Sequence, residues 1–97
     1  MNILQLPLSE VHPYKNNPRK NDKAVDAVAE SIKQYGFLVP LVISKEREII
    51  TGHTRYRAAK KLGLASVPCI LADELTPEQV KAFRLVDNKV GELAEWD

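Results

Sequence analysis

The stretch "IITGHTRYRAAKKLG", Ile49–Gly63, changes period without a linker. Ile49, Ile50 and Thr51 are β-branched and read as the end of a strand. Gly52 lets the chain turn within one residue, and an alanine-rich helical pattern starts at His53 and stops at Gly63. A strand feeding a helix through a single glycine confines the chain to folds that pack helices on a sheet. The same junction has a chemical consequence. The first N–H groups of a helix have no intrahelical acceptor and sit at its positive dipole end, so they form a ready site for an anion.

The rest of the chain supplies the partners of this junction. Ile3–Leu8 alternates apolar and polar residues as a short strand, with Pro7 favouring its end or an edge. Ser9–Asp22 is loop, and a helix is expected over Lys23–Tyr35 with Asn21 or Asp22 as its N-cap. Val25, Val28, Ile32 and Tyr35 give that helix a buried stripe, and Gly36 stops it. Leu38–Ser44 reads as a strand, Lys45–Glu48 as a polar turn, and Glu48–Thr51 as the returning strand of a hairpin. Another strand is expected over Ser66–Ala72. The last helix opens with Thr76 as N-cap, Pro77 at its first position and Gln79 three residues after the cap, and Val80, Phe83, Val86 and Val90 form its apolar face. The order β-α-β-β-α-β-α predicts an α/β (α+β) fold with a small mixed sheet.

At 97 residues the chain is expected to form one domain spanning 1–97. Trp96, one residue from the end, suggests that more protein follows to cover it, so this domain is expected to be the N-terminal part of a longer protein. A net charge of +1 means that any nucleic-acid binding must come from a local patch rather than an overall basic field. Cys69 is the single cysteine, which excludes an intramolecular disulfide and reads as a small core residue. The longest apolar runs are far short of a bilayer span, and no secretory signal opens the chain, so a cytoplasmic location without a membrane partner is expected.

Four groups of residues could carry chemistry. In the helix after Gly52, Ala58, Ala59 and Leu62 define the inward stripe, and Arg55 falls on the same side three residues before Ala58. A cation in a first turn opposes the dipole and needs an anionic partner, either a protein carboxylate or an external phosphate. Arg57 projects towards the side of Lys60 and Lys61 and reads as solvated. Asp87 and Asn88, in "RLVDNKVGE", could hold a divalent cation or orient a water, or could be a solvated helix end. "NNPRK" (Asn16–Lys20), with Arg19, could fold over an anion or be a solvated loop. His53 could be a ligand or an acid–base group, or simply polar surface; His12 is isolated in a loop. No nucleophile elbow and no paired-carboxylate signature is present.

"SIKQYGFLVPLVI", "IITGHTRYRAAKKLG" and "SVPCIL", in that order, resemble the N-terminal domain of ParB-type partition proteins, within the wider ParB/sulfiredoxin superfamily. The resemblance extends from about Leu6 to Glu92, and it is closest to ParB-like domains of phages and mobile elements, often attached to DNA methyltransferases and labelled "ParB-like nuclease". The family box Gly-Glu-Arg-Arg-x-Arg-Ala reads here Gly52-His53-Thr54-Arg55-Tyr56-Arg57-Ala58. This resemblance implies nucleotide handling. Members bind CTP with the arginine box at the triphosphate, while sulfiredoxins and a free-serine kinase use the related site for ATP-dependent phosphoryl transfer. It also implies that Asp87 and Asn88 take the place of the Glu-Asn pair that helps hold metal and phosphates. The chain departs from the pattern at His53 and Thr54, where partition proteins carry Glu and Arg, and at Gly91, where they carry Arg. Those departures weaken the case for CTP hydrolysis. Sulfiredoxins carry their catalytic cysteine at the position of His53, so sulfinic-acid reduction is not expected.

The leading expectation is a module that binds CTP or ATP with Mg²⁺. Phosphate would lie at Gly52, His53, Thr54, Arg55 and Arg57 with Arg19, and the metal at Asp87 and Asn88. If the chain is an enzyme at all, a weak NTPase or a small-molecule phosphotransferase fits the resemblance, with His53 and Asp87 as the candidate catalytic groups. Nuclease chemistry has few carboxylates to draw on, only Asp87 and Glu92 near the site. A third expectation is a binding module without turnover that touches DNA, or its own continuation, through Lys15, Arg19, Lys20, Lys60 and Lys61. The expected partners are therefore a nucleoside triphosphate, DNA through the full-length protein, and a second copy of the chain as a homodimer.

Overall fold

The computed structural model describes residues 3–15 and 22–94, with side chains at 3–15 and 23–85. Its elements are β1 (Ile3–Pro7), α1 (Asp22–Tyr35), β2 (Leu41–Ile43), β3 (Ile49–Thr51), α2 (His53–Leu62), β4 (Ser66–Leu71) and α3 (Pro77–Ala94), with a short 3₁₀ turn at Leu8–Glu10. The four strands form one mixed sheet in the order β1-β4-β2-β3. β1 runs antiparallel to β4, β4 parallel to β2, and β2 antiparallel to β3.

The register explains the core. Leu4, Cys69 and Leu41 share one rung across three strands, and Leu6 faces Val67 on the same side. Leu41, Ile43, Ile49, Val67 and Cys69 are fully buried on that side against Ala59 of α2. Each large side chain removed from water there contributes roughly 1.5–3 kcal/mol. Cys69 sits at the centre of its rung, where its thiol donates to the Val67 carbonyl at 3.7 Å and burial pushes its pKa up. A second cluster joins α1 to α2 through Val25, Ala29 and Ala58, with Val28, Ile32 and Leu62 packed around them. The ion pair between Lys61 and Asp26 adds to the same seam.

Local chemistry sets the ends of the elements. Gly36 takes φ 85° and its N–H donates to the Ile32 carbonyl at 2.9 Å, closing α1. At the start of α3, the Gln79 N–H donates to Thr76 Oγ1 at 3.2 Å and the Thr76 N–H to Gln79 Oε1 at 2.9 Å, a reciprocal capping box. Four expectations need correction. β2 begins at Leu41 rather than Leu38, because Pro40 supplies no N–H and restrains the residue before it; Leu38 and Val39 stay exposed. Tyr35 is 67% exposed, and Ala29 takes the buried place assigned to it in the α1 stripe. Asp22 is a helical residue rather than the cap, and Asn21 lies outside the described residues. Phe83 is exposed while Val80 is half-buried, and the side chains of Val86 and Val90 lie outside the described residues, as does Trp96.

Candidate functional site

The site is built where β3 becomes α2. Gly52 adopts φ 105° and ψ 24°, a left-handed conformation that a side chain strains. An added Cβ there would lie 2.7 Å from Leu41 Cδ2 and 3.1 Å from Arg55 Nη2. Close packing of the junction on β2 therefore demands glycine as firmly as the backbone angle does. The Tyr56 N–H donates to the Gly52 carbonyl at 2.9 Å as α2 begins. The N-cap residue of α2, Gly52, has no side chain to cap the helix, and the first turn carries no acidic residue. The helix thus supplies from its own N-cap and first turn neither the capping oxygen nor the carboxylate that a purely structural N-terminus commonly carries.

His53 is the first residue of α2, and the Tyr14 N–H donates to its Nε2 at 3.1 Å. That bond requires an unprotonated Nε2, so the imidazole is neutral with its proton on Nδ1. Burial first, and then the cations of Arg57 and Arg84, lower the His53 pKa from 6.5 to about 4. The expectation that Arg57 is solvated is corrected by the same observation. It is half-buried, and from one turn along the helix its charge acts on His53. Thr54 is half-buried beside them. Arg55 is also half-buried and folds back over Gly52, where its Nη2 donates to the Pro40 carbonyl at 3.4 Å.

Two residues of this cluster escape a reading of the sequence. Tyr14 comes from the loop after β1, and Arg84 from the second turn of α3. The Arg84 guanidinium lies over the Tyr14 ring with Cζ 3.8 Å from its centroid. It also donates from Nη2 to Glu48 Oε1 and to the Ile49 carbonyl, both at 2.9 Å. The loop reaches this position because the His12 N–H donates to the Arg47 carbonyl and the Ile49 N–H donates to the His12 carbonyl, laying it along β3. The one available signal was Arg84 itself, a cation three and four residues before Asp87 and Asn88 on one helix.

The other candidates distribute as follows. Positions 87 and 88 are helical in α3, but the Asp87 and Asn88 side chains lie outside the described residues, as does Arg19. Of the basic residues considered for DNA, Lys61 pairs with Asp26, Lys60 lies 5.7 Å over the Tyr56 ring, and Lys15 is exposed. Among the described residues, no three His, Cys, Asp or Glu are grouped to hold a metal. No helix among them is long and apolar enough to cross a membrane. A cavity of about 570 Å³ lies beside Val42, Ile70, Leu75 and Phe83, with Asp73 and Glu74 also in its lining. It does not include the junction residues.

With this geometry in hand, comparison with known proteins places the chain. The sequence profile of the ParB N-terminal domain matches residues 1–89. The ParB-like nuclease domain-containing protein YnaK of Escherichia coli K12 is 42% identical over 80 residues, which are 81% of this chain and 92% of YnaK. Chromosome-partitioning protein Spo0J of Thermus thermophilus is 34% identical over 91 residues, but these are 89% of this chain and only 34% of Spo0J. The chain thus spans nearly all of the first relative and about a third of the second. Among solved structures, C-terminally truncated ParB from Caulobacter crescentus, complexed with CTP-γ-S, superposes with a TM-score of 0.78 at 23% identity, covering 91% of this chain and 53% of that one. Sulfiredoxin from Arabidopsis thaliana superposes with a TM-score of 0.71 at 25% identity, covering 86% and 97%. The mixed sheet with its three helices is the ParB and sulfiredoxin fold, and the chain belongs to the ParB N-terminal domain family.

Proposed function

We propose that this domain binds a nucleoside triphosphate, CTP or ATP, with Mg²⁺, and that its phosphates sit on the N-terminus of α2. The observation that carries this reading is the glycine-capped helix start at Gly52, free of acidic residues in its first turn and set among Arg55, Arg57 and Arg84. Backbone N–H groups at positions 53–55 and the helix dipole would meet phosphate oxygens. Arg55 and Arg57 would supply charge-assisted hydrogen bonds. Asp87 and Asn88 are the proposed Mg²⁺ ligands from α3, and Arg19 is a further proposed phosphate contact. A related protein solved with CTP-γ-S supports the ligand class.

Binding without fast turnover is the form of this activity that the residues favour. The relatives' glutamate is His53 here, and its Nε2 lone pair already accepts the Tyr14 N–H. An imidazole held to a pKa of about 4 is a weak base for activating a nucleophile at neutral pH. The domain would serve as one part of a larger DNA-associated cytoplasmic protein, as the partition relatives suggest. Isothermal calorimetry with CTP and ATP, each with and without Mg²⁺, tests the reading. Wild type should release heat with one of them, and Arg55→Ala should weaken binding about 10- to 100-fold, the loss of a charged hydrogen bond. A folded wild-type protein that releases no heat with either nucleotide overturns it.

The name of the 42%-identical relative favours a second reading, DNA cleavage. A plasmid-nicking assay in Mg²⁺ or Mn²⁺ decides it: nicking that disappears in Asp87→Ala would establish nuclease chemistry, and intact plasmid would remove it.

A further inference from the structure

On the reading that the α2 N-terminus takes phosphate, we propose that Arg84 is the positioning residue of that site: one guanidinium clamps the chain on both sides of Gly52. Upstream, it donates to the carbonyl of Ile49 and to Glu48, holding β3 three residues before the junction. Downstream, it lies over the ring of Tyr14, whose backbone N–H holds His53, the first residue of α2. Neither contact reaches phosphate directly. Together they fix the orientation in which the helix start is presented.

The cost of this arrangement argues against a merely structural role. The Arg84 side chain is only 14% exposed, and its Nε is buried with no hydrogen-bond partner among the described residues. Its carboxylate partner, Glu48, remains 37% exposed. A buried, partly satisfied cation is expensive, and an apolar side chain of similar size would serve packing as well or better. What an apolar residue cannot do is bind a carbonyl, a carboxylate and an aromatic face at once. Lysine cannot do so either, because its point charge lacks the planar fork. Arg84 also lies one turn before positions 87 and 88 of the same helix, so tethering it to β3 sets where that turn of α3 stands relative to α2.

The experiment compares Arg84→Lys and Arg84→Met with wild type in two measurements. Hydrogen exchange of the Tyr14 amide reads the Tyr14–His53 bond without any nucleotide. Calorimetry with CTP or ATP and Mg²⁺ reads the site. Both variants, confirmed folded by a cooperative melt, should lose Tyr14 amide protection and bind nucleotide at least about tenfold more weakly, since misplacing a binding group by an ångström costs at least that much. Undiminished protection in Arg84→Met overturns the clamp. Normal binding in Arg84→Lys shows that charge alone suffices and overturns positioning. If Arg84→Met does not fold, Tyr14→Ala removes the ring but keeps Arg84 on Glu48, and the same weakening of binding is expected. A wild type that binds no nucleotide defeats the phosphate reading, while the exchange measurement still tests the clamp by itself.

Discussion

Gly52 answers to two constraints that act on different parts of a substituent. Its φ of 105° penalises any Cβ through the backbone, by about 1–2 kcal/mol. Leu41 penalises it through space, because Cδ2 would stand at 2.7 Å and Cα at 3.4 Å from the new atom. The strand backbone is in ordinary contact, but the leucine tip must turn aside within a core where Leu41 is fully buried. Gly52→Ala should therefore lose about 2–5 kcal/mol, the overpacking part contributing about 1–3. Urea unfolding measures it, and a loss below about 0.5 kcal/mol would show that β2 yields. His53 offers a second test at this scale. Its unfolded form takes a proton near pH 6.5, while the folded form resists until about pH 4. Between those values the unfolded state binds more protons, so stability is full above 6.5 and falls as pH drops through the window. Wild type should lose stability between pH 6.5 and 4 more steeply than His53→Gln, and parallel urea-midpoint profiles would contradict the shift. The glycine was legible in the sequence, since a strand meeting a helix needs one. The state of His53 was not, because it depends on Tyr14, 39 positions away, and on Arg84.

The elements that sequence reasoning placed well are those whose ends are decided locally. The Thr76–Gln79 capping box is written in four residues and forms as read. Thr76→Ala removes the acceptor for the Gln79 N–H and should cost about 1 kcal/mol, seen as a lower urea midpoint and faster amide exchange in the first turn of α3. Unchanged exchange there would mean that contacts with β3 alone hold the helix start. Elements whose extent depends on neighbours were read less well. Leu38 and Val39 have strand composition, yet Pro40 withholds the N–H that would continue the ladder, and β2 keeps only three residues. Tyr35 fits the helical period of α1, yet it stays exposed, and Ala29 instead is buried with Ala58 of α2. Periodicity gives the phase of a face; the length of the opposing element decides how much of it is buried.

At the scale of the molecule, a net charge of +1 conceals a local concentration of cations. Arg55 folds over Gly52, while Arg57 and Arg84 both act on His53, and the sequence total nearly cancels. The element order was readable because each element carries its own period. So was the β2–β3 hairpin, but the place of β4 between β1 and β2 in the order β1-β4-β2-β3 was not, because pairing between distant strands is set by packing and leaves no local mark. That order matters for binding. It puts β2 and β3 side by side, so that Pro40 before one and Gly52 after the other meet at Arg55. A ligand held there contacts residues joined to the sheet, to the loop after β1 and to α3, and so its affinity is linked to unfolding of the whole fold. At a nucleotide concentration a hundred times its Kd, linkage adds about 2.7 kcal/mol to stability. For a domain of this size that raises Tm by roughly 10–20 °C. Thermal melts should show this rise with the preferred nucleotide and Mg²⁺, most of it lost in the Arg55→Ala, Arg57→Ala double variant. The Mg²⁺-dependent part alone should disappear in Asp87→Ala. An equal rise with inorganic phosphate at the same concentration would mean that the site recognises an anion and makes nothing of the nucleoside.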